Sequence, residues 1–547
     1  MFIETRLTDE LVQKYTSSGL WGEKTIGDYL AETIARCPEK TAVVDSRGKR
    51  LTYQQLGDVA NRLAFGFLHY GVRKGDIVSV QLPNCVEFVC IYFALEKIGA
   101  IFNPLNATYR HSEVQKIAGY CESKIIVVQD VFRRFNYVDM VKEIKPDLPD
   151  LQHVFVLGET VPEEMVSFAQ FSQTDWAKEV PAEMLAQNKP GANDILTIIF
   201  TSGTEAQPKG VMLTHNNLIA AEKSYIEALE IDGDDVCFMP SPFTHATGFA
   251  HGINMPMMLG EKSVSLDIWN PEAAIRIIAQ EKCTYSMGAT PFLRTLLDSP
   301  DLARYDTSSL TLFMCGGAPV PKDLMLEGEK MGLKVLPLYG LTESFPHACG
   351  RRSASLEDVY GTDGRPCANI EVSIRDNGVE LPIGEVGEEC SRGPNVCMGY
   401  FKRPDLNAKC FDADGWFYSG DLAKIDEKGN LVIEGRLKDI IIRGGQNIST
   451  KEIEDLLLAH PKIYNVVIVA MPDRKMGEKA CAFIIPRDGQ SVSLEDVTSF
   501  LKEKKLAMFK LPERVEVIDE FPMTPSGKVQ RFVLRDQLAK QLEVAPA

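Results

Sequence analysis

The sequence predicts an α/β protein with a large N-terminal domain of layered sheets, a β-rich subdomain and a smaller α+β C-terminal domain. A chain of 547 residues is longer than one hydrophobic core usually supports, so we expect at least two domains. Short β-branched runs alternate with longer helical patterns, which is typical of layered α/β sheets. These runs lie at residues 77–80, 124–128, 154–157 and 263–266.

The pattern changes after Asp363, where residues begin to alternate at period two and predict the β-rich subdomain. A compact pattern of roughly a hundred residues follows Lys438 and is long enough for a small core of its own. We therefore place an N-terminal domain at residues 1–437 and a C-terminal domain at residues 438–547. The expected elements are strands at 370–374, 387–390, 466–469 and 514–518 and helices at 451–459 and 494–504.

The charge balance and the cysteines argue against several classes of function. The chain has 76 acidic and 59 basic residues and a net charge of −17, which argues against a nucleic-acid-binding surface. No apolar run reaches about 18 residues and the N-terminus lacks a signal-peptide pattern, so we expect a cytoplasmic protein without a transmembrane segment. The 13 cysteines form no C-x-x-C pair, which favours reduced thiols over a zinc or iron–sulfur site.

Residues 200–210 read Phe-Thr-Ser-Gly-Thr-Glu-Ala-Gln-Pro-Lys-Gly and follow an apolar strand that begins at Ile195. Small residues let backbone N–H groups approach an anion, while hydroxyls add donors and a lysine adds a positive charge. The run predicts a phosphate-binding loop, although a surface turn can have the same composition, and the spacing is not that of a Walker loop. The candidate phosphate contacts are Thr201, Ser202, Gly203, Thr204 and Lys209.

Four further short blocks follow this loop along the chain. They are Tyr339-Gly340-Leu341-Thr342-Glu343, Tyr418-Ser419-Gly420-Asp421, Gly435-Arg436-Leu437-Lys438-Asp439 and Pro525-Ser526-Gly527-Lys528. With the loop, they resemble the signatures of the adenylate-forming (AMP-binding) superfamily, which includes acyl-CoA synthetases, aryl-acid adenylating enzymes, peptide-synthetase adenylation domains and luciferases. The resemblance extends from about Thr25 to about Arg535, and five blocks in order are far more specific than any one block.

The resemblance implies a site for ATP and Mg²⁺. Thr342 is expected to contact the α-phosphate, and Glu343 is expected to help hold Mg²⁺. Asp421 is expected to accept hydrogen bonds from the ribose hydroxyls, with Arg436 as a second nucleotide contact. From the residues alone, a helix cap at Thr342 and a structural turn at Asp421 are the alternative interpretations. The other expected nucleotide contacts are Gly316, Gly317, Ala318, Tyr339 and Gly340.

By the same resemblance, the C-terminal domain is mobile and Lys438 is its hinge. Lys528 is expected to contact the substrate carboxylate and the α-phosphate region during adenylation, a role that suits a long side chain with a point charge. Gly444 and Gly445 are expected to line the tunnel for the pantetheine arm of CoA. The alternative interpretations are a solvated lysine near the C-terminus and an ordinary Gly-Gly turn.

His245 resembles the aromatic gate beside the acyl pocket, and Phe249 and Ile253 lie in an apolar segment that resembles the pocket-lining helix. Hydroxybenzoate-activating relatives place an asparagine near this gate, whereas the corresponding stretch of this chain is Thr244-His245-Ala246-Thr247. A medium-chain aliphatic or alicyclic acid therefore fits better than a hydroxylated aryl acid. The chain looks most like bacterial short- to medium-chain fatty acid and cyclohexanecarboxylate CoA ligases. It departs from the superfamily at Ala206, where glycine is usual and where a methyl group would restrict the loop.

The predicted function is an ATP-dependent acid:CoA ligase that forms acyl-CoA through an acyl-adenylate, with AMP and pyrophosphate as products. The alternative is a stand-alone enzyme that loads a separate carrier protein; we expect no fused carrier domain, because only 19 residues follow Lys528. A nucleotide-responsive binding protein without catalysis is a third interpretation, against which the intact signature residues argue. The expected partners are a small carboxylic acid and CoA. We expect a monomer or a homodimer, and transient contact with a membrane surface stays open.

Overall fold

The computed structural model describes residues 3–201, 209–317, 320–444, 446–473, 475–524 and 528–544. The chain divides into two compact units. The first consists of Met1–Glu371 with Ser391–Phe417, and the second consists of Val372–Cys390 with Tyr418–Ala547. The predicted boundary between residues 437 and 438 falls inside the second unit, and a separate domain beginning there stays a prediction.

A nine-stranded mixed sheet forms one layer of the first unit. Its strands lie in the order Arg365–Pro366, Ala348–Cys349, Lys334–Tyr339, Leu312–Gly316, Tyr285–Ala289, Val236–Met239, Lys262–Ser265, Thr41–Asp45 and Arg50–Thr52. The six strands from Lys334–Tyr339 to Thr41–Asp45 are parallel, and antiparallel pairs extend the sheet on both sides. This arrangement confirms the predicted layered α/β fold with partly parallel sheets.

A seven-stranded sheet forms the second layer. Its strands lie in the order Lys209–Thr214, Ile195–Thr201, Ile101–Pro104, Ile77–Gln81, Ile125–Gln129, His153–Leu157 and Val166–Ser167. Parallel strands are covered on both faces and are therefore continuously apolar, which is why the β-branched runs predicted three of these strands correctly. The strand Lys209–Thr214 was not predicted; it pairs antiparallel with Ile195–Thr201 before the helix that Thr214 caps.

Helices surround both sheets of the first unit. The α-helices are Asp9–Ser17, Ile26–Arg36, Tyr53–His69, Val86–Lys97, His111–Tyr120, Tyr137–Ile144, Phe168–Gln173, Ala182–Gln187, His215–Leu229, Ala246–Phe249, Met255–Leu259, Pro271–Glu281, Thr290–Leu297, Lys322–Lys330, Leu356–Val359 and Pro404–Cys410. The short 3₁₀ segments are Lys145–Asp147, Trp176–Lys178 and Pro300–Arg304, and the π-helical segment is Ala250–Asn254. A small β-hairpin pairs Val131–Phe132 with Phe135–Asn136. Over the described part of the chain, none of the helices is long and apolar enough to cross a membrane.

A five-stranded sheet corresponds to the predicted β-rich subdomain. Its strands lie in the order Val379–Glu380, Glu371–Asp376, Gly387–Arg392, Phe417–Ile425 and Leu431–Arg436. The last two strands are antiparallel, and their register makes Asp421 and Arg436 cross-strand partners. This sheet therefore brings together two residues that the sequence separates by a hairpin.

The C-terminal part of the second unit is a small α+β fold. The strands Gln446–Ile448, Ile441–Arg443, Gly477–Pro486 and Ile463–Asp473 form a sheet in that order, and Arg514–Val517 pairs in parallel with Gly477–Pro486. Thr450–Leu457, Leu494–Glu503 and Arg531–Val544 are α-helices, and Leu437–Asp439 and Met508–Lys510 are 3₁₀ turns. Side chains of the strand Ile463–Asp473 alternate between two buried clusters, with Val466 and Ile468 in one and Val467 and Val469 in the other. Both faces of this sheet are therefore covered.

Candidate active site

The signature turn at residues 339–343 lies at the carboxyl edge of the nine-stranded sheet. The strand Lys334–Tyr339 ends there beside the strand Leu312–Gly316, and Gly316 pairs with Leu338. Ligands of open α/β sheets bind at the carboxyl ends of the strands. The structure thus places the predicted contacts Gly316, Tyr339 and Gly340 at one edge of the sheet.

Two glycines shape the end of the strand Leu312–Gly316. A Cβ atom on Gly316 would lie 2.4 Å from Cδ1 of Leu338, and Gly317 has a φ of +80°. A side chain therefore does not fit at Gly316, and the left-handed conformation favours glycine at 317. Gly317 is exposed, so its backbone is open to a ligand. The neighbouring predicted contact, Ala318, lies outside the described residues.

Glu343 is held by two contacts from a later segment of the same unit. The hydroxyl of Tyr400 donates to Oε1 of Glu343 at a distance of 2.8 Å. The N–H of Cys397 donates to the backbone carbonyl oxygen of Glu343, also at 2.8 Å. Burial and the charge of Glu343 raise the pKa of Tyr400, so its hydroxyl keeps the proton that it donates. Thr342 and Glu343 lie in a turn rather than at the start of a helix.

The metal role predicted for Glu343 depends on a phosphate ligand that would share the ion. Among the residues that the structure describes, no group of three or more His, Cys, Asp or Glu side chains could hold a metal ion by itself. Mg²⁺ commonly binds through one or two carboxylates together with substrate phosphates. Tyr400 occupies Oε1 of Glu343, and within the described chain no hydrogen bond reaches Oε2. That oxygen is the one that a phosphate-bound Mg²⁺ would use.

The predicted phosphate loop is flanked by two antiparallel strands. Thr201 and Lys209 are cross-strand partners, and both are half-buried. The structure therefore places these two candidate phosphate contacts side by side. The other three candidates, Ser202, Gly203 and Thr204, lie outside the described residues.

His245, the predicted gate, is the N-cap of the short helix Ala246–Phe249, where its Nδ1 atom accepts the N–H of Thr247. The loop before it is fixed by Asn84, a buried residue that belongs to none of the sequence motifs. The Asn84 amide donates to the carbonyl of Ser241 over 2.9 Å and accepts the N–H of Phe243 over 2.7 Å. The only sequence signal for Asn84 is a polar residue just after a buried strand.

Phe249 and Ile253, the predicted pocket residues, are fully buried. The ring centroid of Phe249 lies 4.9 Å from that of Tyr92 and 5.9 Å from that of Phe102. Ile253 belongs to the π-helical segment Ala250–Asn254, a type of turn that often occurs at functional sites. Both residues therefore lie in apolar surroundings, and their contact with an acyl group stays a prediction.

In the second unit, the structure brings Asp421 and Arg436 into contact. Nε of Arg436 lies 3.1 Å from Oδ1 of Asp421, whose side chain is only 6% exposed. The hydroxyl of Ser419 accepts the N–H of Asp421, and Gly420 has a φ of +75°, which glycine adopts at little cost. Two residues predicted to bind one nucleotide are thus adjacent.

The remaining predicted residues also lie in the second unit. Lys438 belongs to the 3₁₀ turn Leu437–Asp439, and Gly444 follows a strand with a φ of +58°. Lys528 is hydrogen-bonded twice to Thr524: its N–H donates to Oγ1 of Thr524 at a distance of 3.0 Å, and its carbonyl accepts the N–H of Thr524 at 2.7 Å. Gly445 lies outside the described residues.

Arg531, three residues after Lys528, anchors the helix Arg531–Val544 and belongs to none of the sequence motifs. Its guanidinium donates to both carboxylate oxygens of Glu454, at distances of 2.5 and 2.8 Å. It also donates to the backbone carbonyl of Ile468 at 2.8 Å. It also lies 3.8 Å from Asp439, next to the predicted hinge. Bidentate pairs of this kind are the strong, geometrically specific ones.

Comparison with known families supports the family assignment that the signature blocks predict. The AMP-binding enzyme family matches residues 30–401, and the AMP-binding enzyme C-terminal domain matches residues 452–528. The first match alone covers more than half of the chain. The chain belongs to the AMP-binding enzyme family.

Relatives of this AMP-binding enzyme include ligases for different acids. The medium-chain fatty-acid–CoA ligase of Escherichia coli K12 is 41% identical over 530 residues, which cover 96% of this chain and 93% of that protein. The 2,3-dihydroxybenzoate-AMP ligase of Bacillus subtilis 168 is 30% identical over 539 residues, 98% of this chain and 97% of that protein. The crystal structure of ATP-bound MatB from Rhodopseudomonas palustris is 29% identical, with a TM-score of 0.83 over 94% of this chain and 99% of that one.

These matches confirm the predicted family, the α/β fold and an AMP-forming acyl-CoA ligase that uses ATP. The relative that activates an aryl acid is more distant than the fatty-acid ligase, at 30% against 41% identity. The roles predicted for individual residues remain predictions.

Proposed function

We propose that this AMP-binding enzyme joins a medium-chain aliphatic or alicyclic carboxylic acid to CoA through an acyl-adenylate. The observation that carries the proposal is the signature turn, which presents Thr342 and Glu343 at the carboxyl edge of the large sheet beside an open glycine backbone. The apolar surroundings of Phe249 and Ile253 support a hydrophobic acid. The 41% identity to a fatty-acid–CoA ligase points to the same class of substrate.

In the first half-reaction, a carboxylate oxygen of the acid attacks the α-phosphorus of ATP, and the bond to the bridging oxygen of pyrophosphate breaks. Two anions approach each other, so the site must supply positive charge and hydrogen-bond donors. In this proposal Lys528 contacts the carboxylate and the α-phosphate region during adenylation, and Thr342 and Lys209 bind phosphate oxygens. Mg²⁺, when bound by Glu343 and the phosphates, supplies positive charge that stabilises the leaving pyrophosphate.

In the second half-reaction, the thiol sulfur of CoA attacks the acyl carbon, the bond to the AMP oxygen breaks, and the thiol proton is released. Gly444 is proposed to border the path of the pantetheine arm. Its N–H is bound to the carbonyl of Met476, so its backbone is held in a fixed position. Asp421 and Arg436 are proposed to hold the nucleotide through both half-reactions.

Release of pyrophosphate tests the proposal directly. Aliphatic, alicyclic and aromatic acids would be compared with ATP and with either CoA or a phosphopantetheinylated carrier protein as acceptor. We expect the highest kcat/KM for a medium-chain aliphatic or alicyclic acid, with a thioester formed on CoA. Preference for an aryl acid together with transfer only to the carrier would favour the alternative function. No pyrophosphate release with any acid would indicate a binding protein.

The variant Lys528→Ala tests the assignment of the catalytic lysine. We expect loss of acyl-adenylate formation, because no other group is proposed to neutralise the carboxylate and the α-phosphate together. Thioester formation from a synthetic acyl-adenylate and CoA should remain near the wild-type rate. Lys502→Ala, which removes an exposed helix lysine of the same unit, is the matched control. Equal loss in both half-reactions would contradict the role of Lys528.

A further inference from the structure

Tyr400 contacts the proposed metal-binding carboxylate from a part of the chain that no signature block includes. Its hydroxyl lies 2.8 Å from Oε1 of Glu343, 57 residues earlier in the sequence. Tyr400 is only 4% exposed and Glu343 is half-buried, so this hydrogen bond is partly shielded from water. A partly buried bond to a charged group is worth more than a fully exposed one.

The backbone around Tyr400 is itself fixed. Its N–H donates to Oδ1 of Asn407 over 2.7 Å, at the helix Pro404–Cys410. Gly399 before it has a φ of +101°, and a Cβ atom there would lie 2.8 Å from the same Asn407 oxygen. Only glycine therefore permits this close approach, and the approach sets the position from which Tyr400 reaches Glu343.

The same segment is hydrogen-bonded to the strand that begins at Lys209. The N–H of Met398 donates to the carbonyl of Met212 over 2.9 Å, and the N–H of Met212 donates to the carbonyl of Gly399 over 3.0 Å. The N–H of Phe401 donates to the carbonyl of Gly210 over 2.7 Å. Residues 398–401 thus connect the strand of one proposed phosphate contact to the proposed metal ligand.

We propose that Tyr400 is a positioning residue that holds Glu343 so that its second carboxylate oxygen meets a phosphate-bound Mg²⁺. This inference rests on the proposed function, in which Glu343 is the protein ligand of that ion. A carboxylate with one oxygen held by a hydrogen bond has a fixed plane, which orients the other oxygen before the metal arrives. Outer partners of metal ligands typically change metal affinity by about 10- to 100-fold.

The test is the variant Tyr400→Phe, which removes only the hydroxyl. Mn²⁺ would replace Mg²⁺, and its binding to the complex of the enzyme with a non-hydrolysable ATP analogue would be followed by electron paramagnetic resonance. We expect the Kd for Mn²⁺ to rise by about 10-fold or more. In steady-state assays, the apparent Mg²⁺ requirement should rise while the KM for the acid stays close to wild type.

Tyr120→Phe is the matched control. The hydroxyl of Tyr120 donates to the carbonyls of Phe401 and Lys402, each over 3.0 Å, so it supports the same segment without touching Glu343. Wild-type Mn²⁺ affinity in Tyr120→Phe would assign the effect to the Tyr400 contact. Equally weakened Mn²⁺ binding in both variants would overturn the inference, because the packing of residues 398–401 would then explain the lower affinity.

Glu343→Gln separates failure of this inference from failure of the proposed function. Unchanged Mn²⁺ affinity in Glu343→Gln would reject the metal role of Glu343 and, with it, the inference. Weakened affinity in Glu343→Gln with wild-type affinity in Tyr400→Phe would reject the inference alone. If both are correct, adding Tyr400→Phe to Glu343→Gln should cause little further loss, because residues that act through one contact are not additive.

Discussion

Replacing Arg531 by methionine should selectively destabilise the second unit. The guanidinium forms two hydrogen bonds with Glu454, and the Glu454 side chain is only 11% exposed. Methionine fills a similar volume but removes the positive charge. The Glu454 carboxylate would keep the N–H of Ile468 as a donor and lose its ion-pair partner.

The burial of the Arg531–Glu454 ion pair determines how much stability the second unit should lose. Breaking a buried ion pair by removing one partner usually costs about 3–5 kcal/mol, whereas an exposed pair is worth about 0–1 kcal/mol. Because the Arg531 side chain is 25% exposed, we expect the lower end of the buried range, about 3 kcal/mol. At about 1.4 kcal/mol per factor of ten, this corresponds to roughly a 100-fold increase in local opening.

Hydrogen exchange followed by mass spectrometry can measure that opening at amides of the strand Ile463–Asp473. Tryptophan fluorescence provides an internal reference, since all four tryptophans, Trp21, Trp176, Trp269 and Trp416, lie in the first unit. Arg535→Met is the matched control, because within the described residues the one ion-pair partner of Arg535 is Asp439, at 3.4 Å. If exchange in Arg531→Met rises by less than about fivefold, or no more than in Arg535→Met, the pair behaves as a solvated one and the reasoning is wrong.

Two further predictions concern buried polar residues of the first unit. Burial raises the pKa of Glu96 to about 7 from 4.5, so the folded chain holds a proton that the unfolded chain loses. The free energy of unfolding of wild type, relative to that of Glu96→Gln, should therefore fall by roughly 3 kcal/mol as the pH rises from 4.5 to 7. Urea unfolding at several pH values measures this difference, and a difference that does not change with pH would refute the raised pKa. Asn84→Ala removes both bonds to the loop before His245 and should cost about 1–3 kcal/mol in stability and raise the KM for the acid. An unchanged KM would separate this loop from substrate binding.

The fold was predictable where local pattern decides structure. The apolar runs predicted the central strands because parallel strands buried on both faces leave little room for polar side chains. The strand Lys209–Thr214 was missed because its pairing depends on the preceding strand and on residues 398–401 rather than on its own sequence. Short signature blocks identified the family, since several must occur together in one order.

The residues that hold the candidate site were not predictable from the sequence. Tyr400 lies 57 residues from Glu343, Asn84 lies 157 residues from Ser241, and Arg531 lies 77 residues from Glu454. These contacts depend on tertiary packing, and tyrosine, asparagine or arginine in such positions carries no local periodicity. A motif therefore marks the group that performs chemistry but not the group that orients it.

This distinction leads to a kinetic expectation for the second unit. Arg531 begins the helix that follows Lys528, and its bonds to Glu454 and Ile468 fix the start of that helix against the C-terminal sheet. Loosening this anchor should lower the fraction of molecules in which Lys528 is correctly placed, without removing any group that contacts the substrates. Since Lys528 is proposed to act only in adenylation, Arg531→Met should slow acyl-adenylate formation more than thioester formation, as Lys528→Ala should, but less severely. Equal slowing of both half-reactions by Arg531→Met would instead indicate that the anchor supports the whole unit.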